Sequence, residues 1–301
     1  MLMKIGYPCI NLSIDCRSSR TFRLKNYSEK RVKETIDKNL DCLRTILDFN
    51  VAKKIYFFRI TSDLIPFASH PIMNFDWQKC FSSKLIEIGE YINKNKIRVS
   101  MHPGQYTVIN SNSQQVYQNS IKELEYHIKV LDSMNLDASA KIITHIGGVY
   151  GNKVKSMVRF IKRYNELNNN TRKRYVIEND DKSYNINDCL SINQETGIPI
   201  VFDIYHHECN KTQKSMVEEF QKVTTTWKIN DGLPIVHYSS EHPLKGKPRH
   251  ADEIDILHFS RFLEKTKKFD FDIMLEIKDK ERSAIKALKL ILDDNRFNNI
   301  N

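Results

Sequence analysis

The sequence of 301 residues has little of what marks membrane, disulfide-rich or zinc-ribbon proteins. Its six cysteines form no Cys-x-x-Cys pair, which argues against a zinc ribbon or a redox dithiol. We expect most of them to be buried apolar side chains in a reducing compartment. No apolar stretch approaches the length of a membrane span, and the N-terminus lacks the apolar core of a signal peptide. These absences predict a soluble protein of the cytoplasm.

Glycine and proline are also scarce, with 9 and 8 residues, and no low-complexity linker divides the chain. We therefore expect one domain over residues 1–301, with a disordered tail from about residue 296. What the chain does have is positive charge, since 47 Lys and Arg against 37 Asp and Glu give a formal net charge of +10. A polyanionic partner is consistent with this balance, although a basic host proteome would explain it equally well.

Short apolar runs alternate with amphipathic helical stretches along the whole chain. The runs that predict strands lie near residues 4–7, 54–60, 97–101, 141–144, 175–177, 198–202, 233–236 and 271–275. Helical patterns lie near residues 30–49, 76–95, 115–134, 153–168, 186–195, 212–227, 252–268 and 281–293. This alternation predicts an α/β fold, a closed (β/α)₈ TIM barrel of parallel strands and crossover helices. An open doubly wound sheet would need a glycine-rich phosphate loop after the first strand, where the sequence has none.

Possible metal ligands follow six successive predicted strands, the third to the eighth. They are His102, His145, Glu178, Asp203 with His206, His237 and Glu276. The carboxyl ends of barrel strands meet at one face, where charged groups are costly unless they are paired or bound to metal. Imidazoles mixed with carboxylates suit Mn²⁺, Zn²⁺, Fe²⁺ or Co²⁺, and three carboxylates are enough for two or three ions. Clusters of this kind favour phosphoryl transfer.

Two loop segments have a functional and a plain structural interpretation. Gln105 and Tyr106 stand on a turn after the third strand, where they could wedge into a base stack or pack on a neighbouring loop. Lys245, Lys247 and Arg249 form a basic stretch that could contact phosphates or could be a solvated loop. The residues alone leave both alternatives open.

Together these motifs resemble the ultraviolet damage endonuclease family, a branch of the barrel group that includes endonuclease IV and xylose isomerase. The resemblance runs through Gly6-Tyr7 with Asn11, the segment 101–106, Thr144-His145, the segments 178–180 and 203–207, His237 and Glu276. It implies an enzyme that recognises ultraviolet photoproducts and other helix-distorting lesions in double-stranded DNA. It further implies hydrolysis of the phosphodiester immediately 5′ of the damage, leaving a 3′-hydroxyl and a 5′-phosphate. We expect a monomer, because the face that binds DNA must stay open.

The resemblance also implies a role for each ligand. Glu178 would bridge two ions, one held also by His102 and His145 and the other by Asp203, His237 and Glu276. His206 and His250 would hold a third ion. Manganese is the metal of the family, with Mg²⁺, Co²⁺ and Zn²⁺ as other possibilities. The expected catalytic residues are Glu178, His145, Glu276 and His70, the last of which follows the second strand.

For DNA recognition, the resemblance implies that Gln105 and Tyr106 insert opposite the lesion. Tyr7 and Asn11 would lie near the flipped nucleotides. In one respect the chain departs from the family, because relatives carry a lysine two residues before the seventh-strand histidine and this chain has Ile235 there. A role for such a lysine is therefore not expected here.

Other activities remain possible on these residues. An apurinic-site endonuclease of the endonuclease IV type would share the metals and the cleavage, but the Gln105-Tyr106 pair favours bulky lesions. A metal-dependent sugar isomerase would use mostly carboxylate ligands, which the histidine-rich cluster does not match. A nucleic-acid-binding protein with a structural metal would have a closed, cysteine-rich site instead.

Overall fold

Eight parallel strands close into a barrel in the computed structural model, which describes residues 3–242, 249–292 and 294–297. The strands are β1 (Ile5–Pro8), β2 (Phe57–Ile60), β3 (Arg98–Met101), β4 (Lys141–His145), β5 (Tyr175–Glu178), β6 (Ile200–Asp203), β7 (Ile235–Tyr238) and β8 (Asp272–Leu275). Each strand pairs with the next, and β8 pairs with β1. The predicted (β/α)₈ barrel is therefore confirmed, and each strand overlaps one of the eight apolar runs.

Helices surround this barrel. Within the described residues they are α1 (Glu29–Ala52), α2 (Trp77–Cys80), α3 (Ser82–Lys94), α4 (Gln114–Ser133), α5 (Lys153–Asn165), α6 (Asn169–Arg172), α7 (Ile186–Thr196), α8 (Ile204–Cys209), α9 (Met216–Thr224), α10 (Ile256–Lys265) and α11 (Glu281–Leu290). Three 3₁₀ turns add Leu24–Asn26, Ser62–Leu64 and Ile229–Asp231. The helix expected over 76–95 is interrupted at Phe81, and α8 was not expected because it begins directly after β6.

Local signals explain where several helices begin and end. Ser28 caps α1 by accepting a hydrogen bond from the backbone N of Arg31 at 3.2 Å. Asn185 and Asp188 form a capping box at the start of α7, and Gly197 ends that helix with a φ of 70°. These caps hold the helices in place between the strands, so the strand ends can carry the site.

The barrel interior is layered, because alternate residues of a strand point to the same side. One buried apolar layer consists of Phe57, Ile143, Val176, Val201, Ile235 and Met274. Two residues further along the same six strands come Arg59, His145, Glu178, Asp203, His237 and Glu276. The polar groups at the mouth therefore stand on a dry apolar floor, and Ile235 is part of that floor.

The opposite end of the barrel is closed by buried ion pairs. Arg98 Nη1 lies 2.6 Å from Asp272 Oδ2, and Lys141 Nζ is paired with Asp231 Oδ1. Both pairs compensate charges that would be costly if buried alone. They also keep these charges away from the mouth.

The cysteines are placed differently from one another in the fold. Most cysteines were expected to be buried and apolar, but Cys16 and Cys42 form a disulfide with Cα atoms 5.7 Å apart, because the loop after β1 folds onto α1. Of the four free cysteines in the described residues, one is buried, and Cys80 is exposed.

Of the expected tail, Arg296 is bonded through its carbonyl to Met3 N at 2.9 Å, and residues 298–301 lie outside the described residues. Every described helix is too short or too polar to cross a membrane.

Candidate metal centre

Glu178 lies at the centre of the cluster at the mouth of the barrel. It is the last residue of β5, and its side chain is 1% exposed. Its Oε2 lies 3.0 Å from His237 Nδ1 and 3.4 Å from His102 Nε2, and its Oε1 lies 3.4 Å from His206 Nδ1. Three sets of ligand atoms share this carboxylate. They are His102, His145 and Glu178; Glu178, Asp203 and His206; and Glu178, His237 and Glu276.

The residues present fit divalent metal ions. Three buried atoms of the cluster have no hydrogen-bond partner, namely His145 Nδ1, Glu178 Oε2 and Asp203 Oδ2. Buried polar atoms are nearly always bonded, so unpaired atoms on residues that share ligand sets with Glu178 indicate a cation or another ligand there. Neutral imidazole nitrogens together with carboxylate oxygens are ligands of Mn²⁺, Fe²⁺, Co²⁺ and Zn²⁺. The predicted convergence of ligands from successive strands is thus confirmed as a candidate metal site.

The charges of the cluster keep Glu178 ionised. Burial would raise the pKa of Glu178, but the histidines that surround it, His237 most strongly, hold it well below its usual range. Burial lowers the pKa of both His145 and His237, which favours the neutral imidazoles that metal binding requires.

Asp203 and His206 also lie close together in the cluster, with Asp203 Oδ1 3.7 Å from His206 Nδ1. Burial raises the pKa of Asp203 well above its usual range. Burial alone would lower the pKa of His206, but the carboxylates of Asp203 and Glu178 raise it to about 11. Asp203 also accepts a hydrogen bond from the backbone N of His206 at 2.6 Å and so caps α8. The cap places His206 in the first turn of α8, beside Asp203.

Backbone carbonyls orient two of the cluster's histidines. His102 Nδ1 donates to the carbonyl of Pro103 at 2.9 Å, which leaves Nε2 to face Glu178. His206 Nδ1 donates to the carbonyl of Asn179 at 3.0 Å. In the neutral form of each ring one nitrogen is thereby fixed as a donor and Nε2 carries the lone pair, so His206 must lose its second proton before it can bind a metal ion.

His250 lies beside His206, with which it was predicted to hold a third ion. Its Nδ1 donates to the carbonyl of Glu276 at 2.9 Å, and the centres of the two rings are 6.0 Å apart. His70 is placed differently, since its side chain is exposed and its Nδ1 accepts from the backbone N of Ile72 at 3.1 Å. Among the described residues, none of the three ligand sets contains His70 or His250, so their assigned roles remain predictions.

The residues expected to bind DNA fall into two groups. Gln105 and Tyr106 are exposed at the turn after β3, and Tyr106 is 84% exposed. Tyr7 and Asn11 are buried instead, because Tyr7 points away from the barrel interior toward α1. The Tyr7 hydroxyl donates to Asn50 Oδ1 at 2.6 Å and accepts from Asn11 Nδ2 at 2.8 Å. Contact of this pair with nucleotides would require the loop after β1 to open.

The basic stretch is only partly described. Arg249 is exposed, and its carbonyl accepts from the Tyr205 hydroxyl at 3.1 Å. Lys245 and Lys247, the other two residues predicted to contact DNA there, lie outside the described residues.

Arg59 is a member of the site that the sequence analysis missed. It is a buried residue of β2, and its Nη2 lies 2.5 Å from Glu276 Oε1 and 2.8 Å from His237 Nε2. In the sequence it is a single arginine within an apolar run. Its place two residues after Phe57 was the available signal, because that spacing puts both side chains in the barrel interior.

A closed (β/α)₈ barrel with imidazole and carboxylate ligands at the carboxyl ends of its strands defines a TIM-barrel enzyme with a candidate metal centre. The model of the UV-endonuclease UvdE family matches residues 3–301, and the chain belongs to this family. It is therefore a hydrolase acting on phosphodiester bonds, as the sequence predicted.

Relatives and a solved structure also support membership in the UvdE family. The UV DNA damage endonuclease of Clostridium perfringens (strain 13 / Type A) is 44% identical over 296 residues, which are 98% of this chain and 72% of that protein. The UV DNA damage endonuclease of Bacillus cereus (strain G9842) is 34% identical over 310 residues, covering 97% of this chain and 98% of that protein. The crystal structure of SacUVDE superposes with a TM-score of 0.93 at 42% identity, covering 98% of this chain and 99% of that one.

A more distant match is endonuclease IV from Thermus thermophilus, with a TM-score of 0.61 at 10% identity over 97% of this chain and 99% of that one. At this identity the likeness concerns the fold alone. The expected membership in a wider barrel group that includes endonuclease IV is consistent with it.

Proposed function

We propose that this protein is a metal-dependent DNA repair endonuclease that recognises ultraviolet photoproducts and other helix-distorting lesions. It would hydrolyse the phosphodiester immediately 5′ of the lesion and leave a 3′-hydroxyl and a 5′-phosphate. The observation that carries this proposal is the set of three ligand groups that share Glu178 at the mouth of a UvdE-family barrel. It would act in the cytoplasm as a monomer, which would leave the mouth open to DNA.

The metal would be manganese, held by the residues of these groups. Glu178 would bridge two ions, one bound by His102 and His145 and the other by Asp203, His237 and Glu276. The ligand sets of the structure group Asp203 with His206, and Glu178 joins them to His237 and Glu276. His206 and His250 would hold a third ion through the ring nitrogens that do not bond to backbone carbonyls. When bound, divalent ions activate water and neutralise the charge that develops on a phosphate during hydrolysis.

The protein's own groups prepare this site before DNA arrives. The buried, ionised Glu178 and the neutral imidazole of His145 present lone pairs at the mouth of the barrel. The apolar layer beneath excludes water from below, so substrate can enter only from the open mouth. A phosphodiester must therefore be brought to the cluster by bending or unstacking the duplex.

Gln105 and Tyr106 are suited to that task. They stand exposed on a turn directly after His102, and a hydrogen bond of 2.9 Å from Thr107 N to the carbonyl of Gly104 closes the turn. An exposed aromatic ring on a short, closed turn can take the place of extruded bases in the stack. Damaged nucleotides already stack and pair poorly, so extruding them costs less than extruding sound ones. Lys245, Lys247 and Arg249 would contact backbone phosphates.

The Tyr106→Ala variant should incise irradiated duplex about 10- to 100-fold less efficiently, because one base-stacking contact is worth about 1–3 kcal/mol. Binding of Mn²⁺ and thermal stability should not change, since the ring is 84% exposed. Ile229→Ala is a matched control, because that side chain is 87% exposed on the 3₁₀ turn that precedes β7, away from the mouth. Equal incision by the two variants would show that Tyr106 does not take part in recognition.

The proposed function is tested with three duplexes of one sequence: ultraviolet-irradiated, undamaged and abasic. Each is incubated with the purified protein in Mn²⁺ or in EDTA, and product ends are mapped on a sequencing gel. We expect a nick 5′ of the photoproduct that requires Mn²⁺, with sound DNA left intact. Cleavage of all three duplexes alike, or cleavage in EDTA, would contradict the proposal. Cleavage of the abasic duplex alone would favour an apurinic-site endonuclease.

A further inference from the structure

Arg59 places a permanent positive charge inside the candidate metal centre. It projects from β2 into the barrel mouth, and it is 7% exposed. Its Nη2 donates to Glu276 Oε1 at 2.5 Å and to His237 Nε2 at 2.8 Å. Both partners belong to the same ligand set, together with Glu178.

We propose that Arg59 competes with metal for His237 and Glu276, so that this ligand set fills last and only when the guanidinium moves away. This inference deepens the proposed function and rests on it through the metal centre. It makes Arg59 a positioning residue that controls metal loading.

The donor and acceptor roles at His237 require this competition. A guanidinium has N–H donors and no acceptor, so His237 Nε2 must accept the bond from Arg59. The single proton of a neutral ring then sits on Nδ1, which is the atom 3.0 Å from Glu178 Oε2 and 3.3 Å from Glu276 Oε1. A proton thereby occupies Nδ1, where the ligand set needs a lone pair.

A metal ion cannot bind His237 while the contact with Arg59 persists. An ion at Nδ1 would move the ring proton to Nε2, where it would point at the N–H groups of Arg59. An ion at Nε2 would need the position that Arg59 itself occupies. In both cases the bond between Arg59 and His237 has to break. The same ion would also repel the guanidinium from Glu276.

The two other ligand sets are different. In the described residues, His102 and His145 have no hydrogen bond or ion pair with an arginine or lysine, and neither do Asp203 and His206. An ion can therefore bind His102 and His145 without breaking a buried pair like that of Arg59 with Glu276. Breaking such a pair is costly in a dry site. Metal should therefore bind first on the side of His102 and His145, and more weakly at His237 and Glu276.

Isothermal titration calorimetry of the metal-free protein with Mn²⁺ tests this order of metal binding. Wild type should show a tight step and a weaker step, and Arg59→Met should tighten the weaker step by about tenfold or more, because a buried like charge is removed. Arg59→Lys keeps the charge and should tighten it less. A purely structural role for Arg59 would make metal binding weaker, so the direction of the change separates the two roles.

Arg98→Met is the matched control. Arg98 is also a buried arginine of the barrel interior bonded to a carboxylate, but at the other end of the barrel. The Arg98→Met variant should leave both Mn²⁺ binding steps unchanged. Circular dichroism verifies that each variant is folded. If Arg59→Met does not fold, Arg59→Gln, which keeps a hydrogen-bond donor without the charge, must show the same tightening.

Unchanged or weaker Mn²⁺ binding in a folded Arg59→Met or Arg59→Gln protein would overturn the role of Arg59 and leave the proposed metal centre intact. Failure of the wild type itself to bind Mn²⁺ would overturn the proposed function and this inference together. The two failures are therefore distinguishable in one titration series.

Discussion

The Glu178→Ala variant should lose incision of irradiated DNA by at least about a thousandfold, because several kcal/mol of metal-dependent stabilisation disappear. Glu178 is the one carboxylate common to all three ligand sets. Alanine would leave His102, His206 and His237 around an empty centre, since each of these rings lies within 3.4 Å of Glu178. The incision rate measured on gels and the affinity for Mn²⁺ measured by titration should decrease together.

A second buried glutamate provides the control for this prediction. Glu219 lies on α9 and accepts a hydrogen bond from Thr212, outside the ligand sets. Glu219→Gln should incise DNA close to the wild-type rate, even if it unfolds at a somewhat lower temperature. Glu178→Gln keeps the shape but not the charge, so it should be as inactive as the alanine variant. Near-normal incision by either Glu178 variant would show that the cluster is assigned wrongly.

Gly6→Ala should destabilise the protein by about 3–5 kcal/mol or prevent folding, which places it among the largest single-substitution effects. A Cβ at Gly6 would lie 2.0 Å from the carbonyl oxygen and 2.4 Å from the carbonyl carbon of Phe57. These are backbone atoms of β2, the strand paired with β1, so they cannot rotate away. The closed barrel would have to open at this seam. Urea unfolding measures the loss.

Gly104→Ala is the comparison, because nothing lies within 4 Å of a Cβ built at Gly104. Its free energy of unfolding should stay within about 0.5 kcal/mol of wild type, as for most surface substitutions. If both glycine variants were equally stable, the close approach of β1 and β2 would not be what requires glycine at position 6.

Much of the fold was predictable from local patterns. The strand ending in Glu178 and the strand ending in Asp203 each follow an apolar run, and the period of two in a strand puts alternate residues on one face. Because the carboxyl ends of parallel barrel strands share one face, the meeting of these carboxylates with His237 follows from their position in the chain. The structure confirmed that meeting.

Other features depended on contacts between distant parts of the chain. Tyr7 was expected near nucleotides, but the packing of α1 against β1 buries it against Asn50. The pairing of Cys16 with Cys42 follows from the fold of the loop after β1 and has no signal in the cysteine spacing. Neither position could be assigned from neighbouring residues, because the partner lies 43 or 26 residues away.

Sequence alone predicted the barrel and the candidate ligands at its strand ends, because periodicity and strand ends are local properties of the chain. The tertiary structure decided which candidate ligands lie together in one set and which charged side chain contacts them. Glu178 became the common member of three ligand sets only when β3 to β8 closed around it. Arg59 became part of the same centre only because β2 lies across the mouth from β7, which brings residues 178 positions apart within 2.8 Å. Such distances depend on the closure of the barrel, and no local sequence pattern encodes them.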